Sequence, residues 1–128
     1  MSEGARYQGF VPGRHLIDAY GAGGFRFADM SHRGSILALP SGIRAWSVTS
    51  PAEFTTSAFE PVFAEEEPPE VLLIGCGVDI AALPERTRWR FKEARIRIDV
   101  MQTGAAARTY NIMLAENRSV GAALIAVP

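Results

Sequence analysis

The chain has 128 residues, 48% hydrophobic and 21% charged, with a formal net charge of −1 and a single cysteine. That length supports one domain with a real core, the balanced charge argues against a nucleic-acid footprint, and one cysteine excludes an internal disulfide and a multi-cysteine metal site. No apolar run is long enough to span a bilayer, and the first ten residues lack a signal-peptide core or the Arg-rich character of a transit peptide, so a reducing, cytoplasmic setting is expected.

Residues 1–9 read as a loose arm. Leu16 to Tyr20 is a candidate strand, ended by Gly21-Ala22-Gly23-Gly24. Phe25-Arg26-Phe27 alternates and resumes extended structure, and Asp29 to Gly34 is turn-rich. Ser35 to Leu39 is a strong strand, Pro40-Ser41-Gly42 a turn, and Ile43 to Val48 a return strand, which together predict an antiparallel hairpin. Ser50-Pro51-Ala52-Glu53 has the pattern of a helix start: an N-cap, a proline at N1 and a glutamate at N3. Pro61 should interrupt that helix, and Glu65 to Glu70 is a solvated acidic connector.

Val71 to Ile74 is fully apolar, as in a central strand covered on both faces. Gly75-Cys76-Gly77 turns away from its end. Pro84 suits the first turn of a helix reaching to about Ala94, with Leu83, Thr87 and Phe91 facing inward. From Ile96 to Met101 apolar and polar residues alternate, the mark of a strand with one wetter face. Thr103 can cap a helix whose stripe is Ala106, Tyr110, Met113 and Asn117, with Asn117 as its stop. Val120 to Val127 is a last buried strand, and Gly121, Ala122 and Ala123 let a helix approach it closely.

The second half therefore reads β-α-β-α-β, which calls for parallel strands and helical crossovers. The expected fold is α/β: a single three-layer domain over 1–128 with a central mixed, mostly parallel sheet, helices on its faces and an antiparallel β extension from the N-terminal half. No internal repeat or domain boundary is visible.

No catalytic constellation, metal-ligand set or cofactor motif is expected. The best ligand-facing corner is the start of the last helix, where free N–H groups and a partial positive charge favour anions. Thr103, Gly104 and Arg108 are its candidate residues. Arg108 is read either as an anion ligand or as a brace paired with Asp99 or Glu116, and the brace is the expected role. Gly75 and Gly77 lie at a strand's carboxyl end, where open α/β sheets place ligands. They do not complete a dinucleotide fingerprint, because position 80 is Ile80. Gly21 to Gly24 lacks the Lys-Ser/Thr of a P-loop. Cys76 needs an activating base to act as a nucleophile. The available histidines, His15 and His32, fall in the β extension, so a packed thiol is expected. Trp89 lies off the inward stripe of its helix and is expected to be exposed; Trp46 is read as core or as part of a partner surface.

Several of these pieces together resemble a known family: Tyr20-Gly21-x-Gly23-Gly24-Phe25-Arg26-Phe27, Gly34-Ser35, Pro40, Trp46, Gly75-x-Gly77, Met101-x-Thr103-x-x-Ala106-x-Arg108-Thr109-Tyr110-Asn111 and Glu116-x-Arg118. The chain resembles the small uncharacterised-domain family that includes the mitochondrial respiratory complex I (NADH:ubiquinone oxidoreductase) assembly factor and an adipogenesis-associated human relative, and it looks like a bacterial-type member. The resemblance implies a three-layer fold and a non-enzymatic assembly or interaction role. Protein partners at the inner membrane, such as complex subunits or assembly factors, are the partners it implies. It carries over no catalytic residues. The chain departs from the family pattern at Cys76 and Gln102. The alternative, from the residues alone, is a small anionic-ligand binder or enzyme at the Thr103–Arg108 helix start.

Overall fold

The computed structural model describes residues 8–128. Strands β1 (Phe10–Pro12), β5 (Ser35–Leu39), β6 (Gly42–Trp46), β7 (Val71–Gly75), β8 (Arg97–Met101) and β9 (Val120–Leu124) form a six-stranded sheet in the order β1-β6-β5-β9-β7-β8. Strands β2 (Ala19–Gly21), β3 (Gly24–Phe27) and β4 (Met30–Arg33) form a second, antiparallel sheet. The helices are α1 (Glu60–Phe63), α2 (Glu85–Glu93) and α3 (Thr103–Ala115).

The large sheet is mixed. It is not mostly parallel, as expected: its β9-β7 and β7-β8 ladders are parallel, whereas β1-β6, β6-β5 and β5-β9 are antiparallel, because the Ser35–Trp46 hairpin joins this sheet. The parallel part is confined to the C-terminal half, where α2 and α3 provide the long crossovers that parallel neighbours require.

Alternation along each strand divides the core into two layers. Leu72 and Ile74 of β7, Leu37 and Leu39 of β5, and Ala123 of β9 face one side, under α2 and the aromatic cluster of Trp46, Phe54, Phe59 and Phe91. Leu73, Ile36, Ala38 and Ala122 face the other side, under α3 and the small sheet. Ala106 and Ala107 of α3 meet the small residues of β9 there, so the helix lies close to the strand. The result is a three-layer α/β domain with an antiparallel β extension.

The differences from sequence have local causes. The expected arm over 1–9 falls mostly outside the described residues, but its end is pinned: the Gly9 carbonyl accepts from Ala45 N–H at 2.8 Å, just before β1. Strand β2 starts at Ala19, later than expected. The 29–34 stretch is not all turn, since Met30–Arg33 pairs with β3. The turn is only Ala28-Asp29, both at positive φ (51° and 61°), the two-residue hairpin geometry that matches strand twist. The helix expected from Ser50 is a 3-10 turn at Pro51–Glu53, with Ser50 Oγ accepting from Ala52 N–H at 3.2 Å. Pro61 does not break a helix; it sits in the first turn of α1, where its missing N–H costs nothing. Glu65 is not simply solvated, because its carboxylate accepts from Ser41 N–H (3.0 Å) and Oγ (2.6 Å).

Two helices end alike. Asn117 at φ 64° follows α3, with Arg118 N–H bonded to Met113 O and Asn117 N–H to Leu114 O. Arg95 at φ 60° follows α2, with Ile96 N–H bonded to Phe91 O and Arg95 N–H to Lys92 O. Both are Schellman closures with a non-glycine residue in the left-handed position.

Candidate functional site

The carboxyl end of β7 and the start of α3, two separate candidates in the sequence, meet, but with different roles. Thr103 is not the N-cap. Gln102 occupies that position without a side-chain cap, and Thr103 is fully buried as the first helical residue. Its Oγ1 donates to Ile125 O at 2.7 Å and accepts from Gly77 N–H at 2.9 Å, while its own N–H donates to Gly77 O at 3.0 Å. Gly77 has φ +98°, a conformation that suits glycine. At Gly75 a Cβ would lie 2.8 Å from Thr103 Cα, so only glycine allows α3 to sit this close to β7. Gln102 Nε2 closes the corner by donating to Val78 O at 2.7 Å.

Gly104 faces away from this knot, toward Tyr20 of β2. A Cβ there would be 2.5 Å from Tyr20 Oη. The same hydroxyl accepts from Arg108 at 3.1 Å. Arg108 is exposed, and among the described residues it pairs with neither Asp99 nor Glu116; Glu116 instead faces Arg118 at 3.9 Å. The expected brace to a carboxylate is therefore wrong. Nearness in sequence suggested Asp99 and Glu116, and the real partner lies 88 residues away. Thr103, Gly75 and Gly77 form one cluster, and Gly104 and Arg108 form another around Tyr20.

Two hollows flank the corner. One, about 350 Å³, is lined by the Cys76–Ala81 loop, Ile125–Val127 and Thr49–Pro51. Cys76 is only 3% exposed, and burial pushes its thiol pKa up, as for a packed thiol. The other hollow, about 580 Å³, runs along the small sheet past Tyr20, Arg26, His32 and Arg33. His32 Nε2 lies 3.1 Å from Ser35 O and His15 Nε2 2.9 Å from Pro12 O, so both rings are engaged within the N-terminal half. Trp46 is core, with its indole N–H donating to Ala58 O at 2.8 Å, whereas Trp89 is exposed.

The segment Thr109-Tyr110-Asn111 holds the β extension onto α3. Asn111 Oδ1 accepts from Ile17 N–H and its Nδ2 donates to Ile17 O, both at 2.8 Å, and Tyr110 Oη donates to His15 O at 3.2 Å.

Residues 17–125 match a family model described as protein of unknown function (DUF498/DUF598). The chain belongs to that family. An uncharacterised protein of Rhodobacter capsulatus is 37% identical over 123 residues, covering 96% of this chain and 93% of the relative. The NADH dehydrogenase [ubiquinone] 1 alpha subcomplex assembly factor 3 of Mus musculus is 28% identical over 94% of this chain, which spans 65% of that protein's length. Among solved structures, one titled as an outer membrane protein from Bartonella henselae is 55% identical, with a TM-score of 0.87, over 91% of this chain and 98% of that one. The fold and the family expected from sequence are thus both found. Among the described residues no helix is long and apolar enough to cross a membrane.

Proposed function

We propose that this chain is a non-enzymatic assembly or interaction protein that binds protein partners and supports the assembly of respiratory complex I or another inner-membrane complex, working from the cytoplasmic side as a peripheral component. The observation that carries this reading is the match to the mouse assembly factor over 94% of the chain, within one family. The Thr103 corner fits it, because its polar groups are spent on holding α3, β7 and β9 together. Affinity capture from native membranes is the test. Reproducible enrichment of complex I intermediates, or of another inner-membrane complex, is expected. Recovery of the protein alone would count heavily against the reading.

A second reading is an anionic small-molecule site, favoured by one observation. Tyr20, which lines the larger hollow beside Arg26 and Arg33, is bonded to Arg108. Gly104, which makes room for that tyrosine, belongs to this reading together with Thr103, Gly75 and Gly77 behind it. A thermal-shift screen of nucleotides, phosphosugars and carboxylates decides it. A native-state ligand at 100 times its Kd stabilises by about 2.7 kcal/mol, and a flat screen removes the reading.

A further inference from the structure

Strand β8 ends the six-stranded sheet, and among the described residues its outer edge has no strand beside it. Arg97 N–H donates to Glu70 O, and Met101 O accepts from Cys76 N–H, so Arg97, Asp99 and Met101 turn their backbone groups toward β7. By alternation, Ile98 and Val100 turn theirs outward. A row of unpaired N–H and C=O groups is a template for another extended chain.

Beside this edge lies a groove of about 410 Å³ between α2 and the start of β8. Its floor is apolar: Phe91, Ile96 and Ile98. Its wall is the stripe Glu85, Arg88, Trp89 and Lys92, which falls on one helical face at spacings of three and four. Trp89 is 55% exposed, and Lys92 Nζ stands 5.0 Å over its ring. Arg97 adds a further cation to the rim. The groove is lined by three cations, Arg88, Lys92 and Arg97, against one acid, Glu85, a net of +2 in a chain whose whole net charge is −1. Among the described residues, none of these cations is in an ion pair.

We infer that this edge and groove receive an extended acidic segment of a partner protein, which adds as a strand to β8, places an apolar side chain on the Phe91-Ile96-Ile98 floor and sets its carboxylates against Arg88, Lys92 and Arg97. Strand addition draws affinity from main-chain bonds and specificity from alternate side chains. The charge decides the occupant. A second copy paired through β8 would put two basic stripes on the same face of a continuous sheet, so like charges would oppose it. An acidic segment is complementary. This inference rests on the partner-binding reading above and names the surface that reading requires.

The test is a titration of the isotope-labelled full chain with a synthetic peptide in which glutamate, valine and glutamate occupy alternate positions separated by threonine, so that all three share one strand face, followed by amide NMR. Binding is expected, with the largest shifts and new exchange protection at Ile98 and Val100. Val100→Pro removes one outward N–H without touching the ladder to β7, a place where an edge strand tolerates proline. It should abolish binding. The exposed pair Arg88→Glu with Lys92→Glu, which leaves the core intact, should weaken binding at least about tenfold. The same peptide with lysine in place of glutamate should not bind. Shifts that map elsewhere, unchanged binding by either variant, equal binding of a short oligonucleotide, or self-association through β8 would each overturn the inference. So would absence of binding at millimolar peptide, which would leave the cations as guards of the edge. The two variants also separate this surface from the wider reading. Membrane capture that persists in both sinks the surface alone, whereas failed capture with intact peptide binding sinks the assembly role alone.

Discussion

Thr103 Oγ1 donates to the carbonyl of Ile125 at 2.7 Å, joining the first residue of α3 to the end of β9. The same oxygen accepts from Gly77 N–H. One buried hydroxyl thus satisfies backbone groups from two separate loops. Thr103→Val keeps the shape and strands both groups. Leaving a buried donor or acceptor unmade costs about 1–3 kcal/mol, so a loss of roughly 2–4 kcal/mol in urea unfolding is expected. Thr103→Ser should recover most of it. A valine variant as stable as wild type would show that the hydroxyl is not structural.

Arg108, Tyr20 and Gly104 are expected to behave as one exposed unit. Arg108→Ala should cost less than about 1 kcal/mol, the range of exposed polar pairs. Gly104→Ala gains helix propensity of about 1 kcal/mol but drives a Cβ into Tyr20 Oη. In wild type the two effects should nearly cancel. With Tyr20→Ala in place the same substitution should stabilise by about 0.5–1 kcal/mol. A double-mutant cycle from urea unfolding measures the coupling, and additive effects would contradict the packing described.

Alkaline pH should weaken the fold through two buried acids. Burial raises the Tyr110 hydroxyl from 10.0 to about 12, opposed by the Arg14 charge, and burial raises the Cys76 thiol above 9.0. The neutral forms are favoured in the folded state, so this stability is complete below the unfolded values. It declines as pH rises from about 9 toward 12. Tyr110→Phe should flatten the fall between pH 10 and 12 by on the order of 2 kcal/mol, while losing its bond to His15 at neutral pH. Cys76→Ser should keep the fold and partner capture. Selective alkylation of Cys76 near neutral pH with loss of a measured activity would overturn its inert role.

Where the sequence was readable, the signal was local or periodic. The apolar run at Val71–Ile74, the alternation from Arg97 to Val100 and the stripe Ala106-Tyr110-Met113 each carry their own period, so their strands and helix were legible. Met30–Arg33 was not, because Met-Ser-His-Arg has no apolar alternation and the Ala28-Asp29 turn lacks the usual glycine. The candidate corner was found for a partly mistaken reason. A threonine before an alanine run suits a cap, but its actual partners lie 22 and 26 residues away. Tyr20 was missed as the mate of Arg108 for the same cause, distance along the chain. The cations of the α2 groove, Arg88, Lys92 and Arg97, went unread because the balanced total charge concealed them.

Strand β9 stands between β5 and β7, where the antiparallel half of the sheet meets the parallel half. It is also the last strand in chain order. During synthesis, the hairpin of β5 and β6 and the pair of β7 and β8 can each form early, yet neither finds its central neighbour until Val120–Leu124 has left the ribosome. Ile36, Leu37, Leu72 and Leu73 then wait beside an unfilled gap. Such long-range closure is slow and leaves edges exposed meanwhile. The strands beside that gap are therefore expected to need shielding until β9 is in place between β5 and β7.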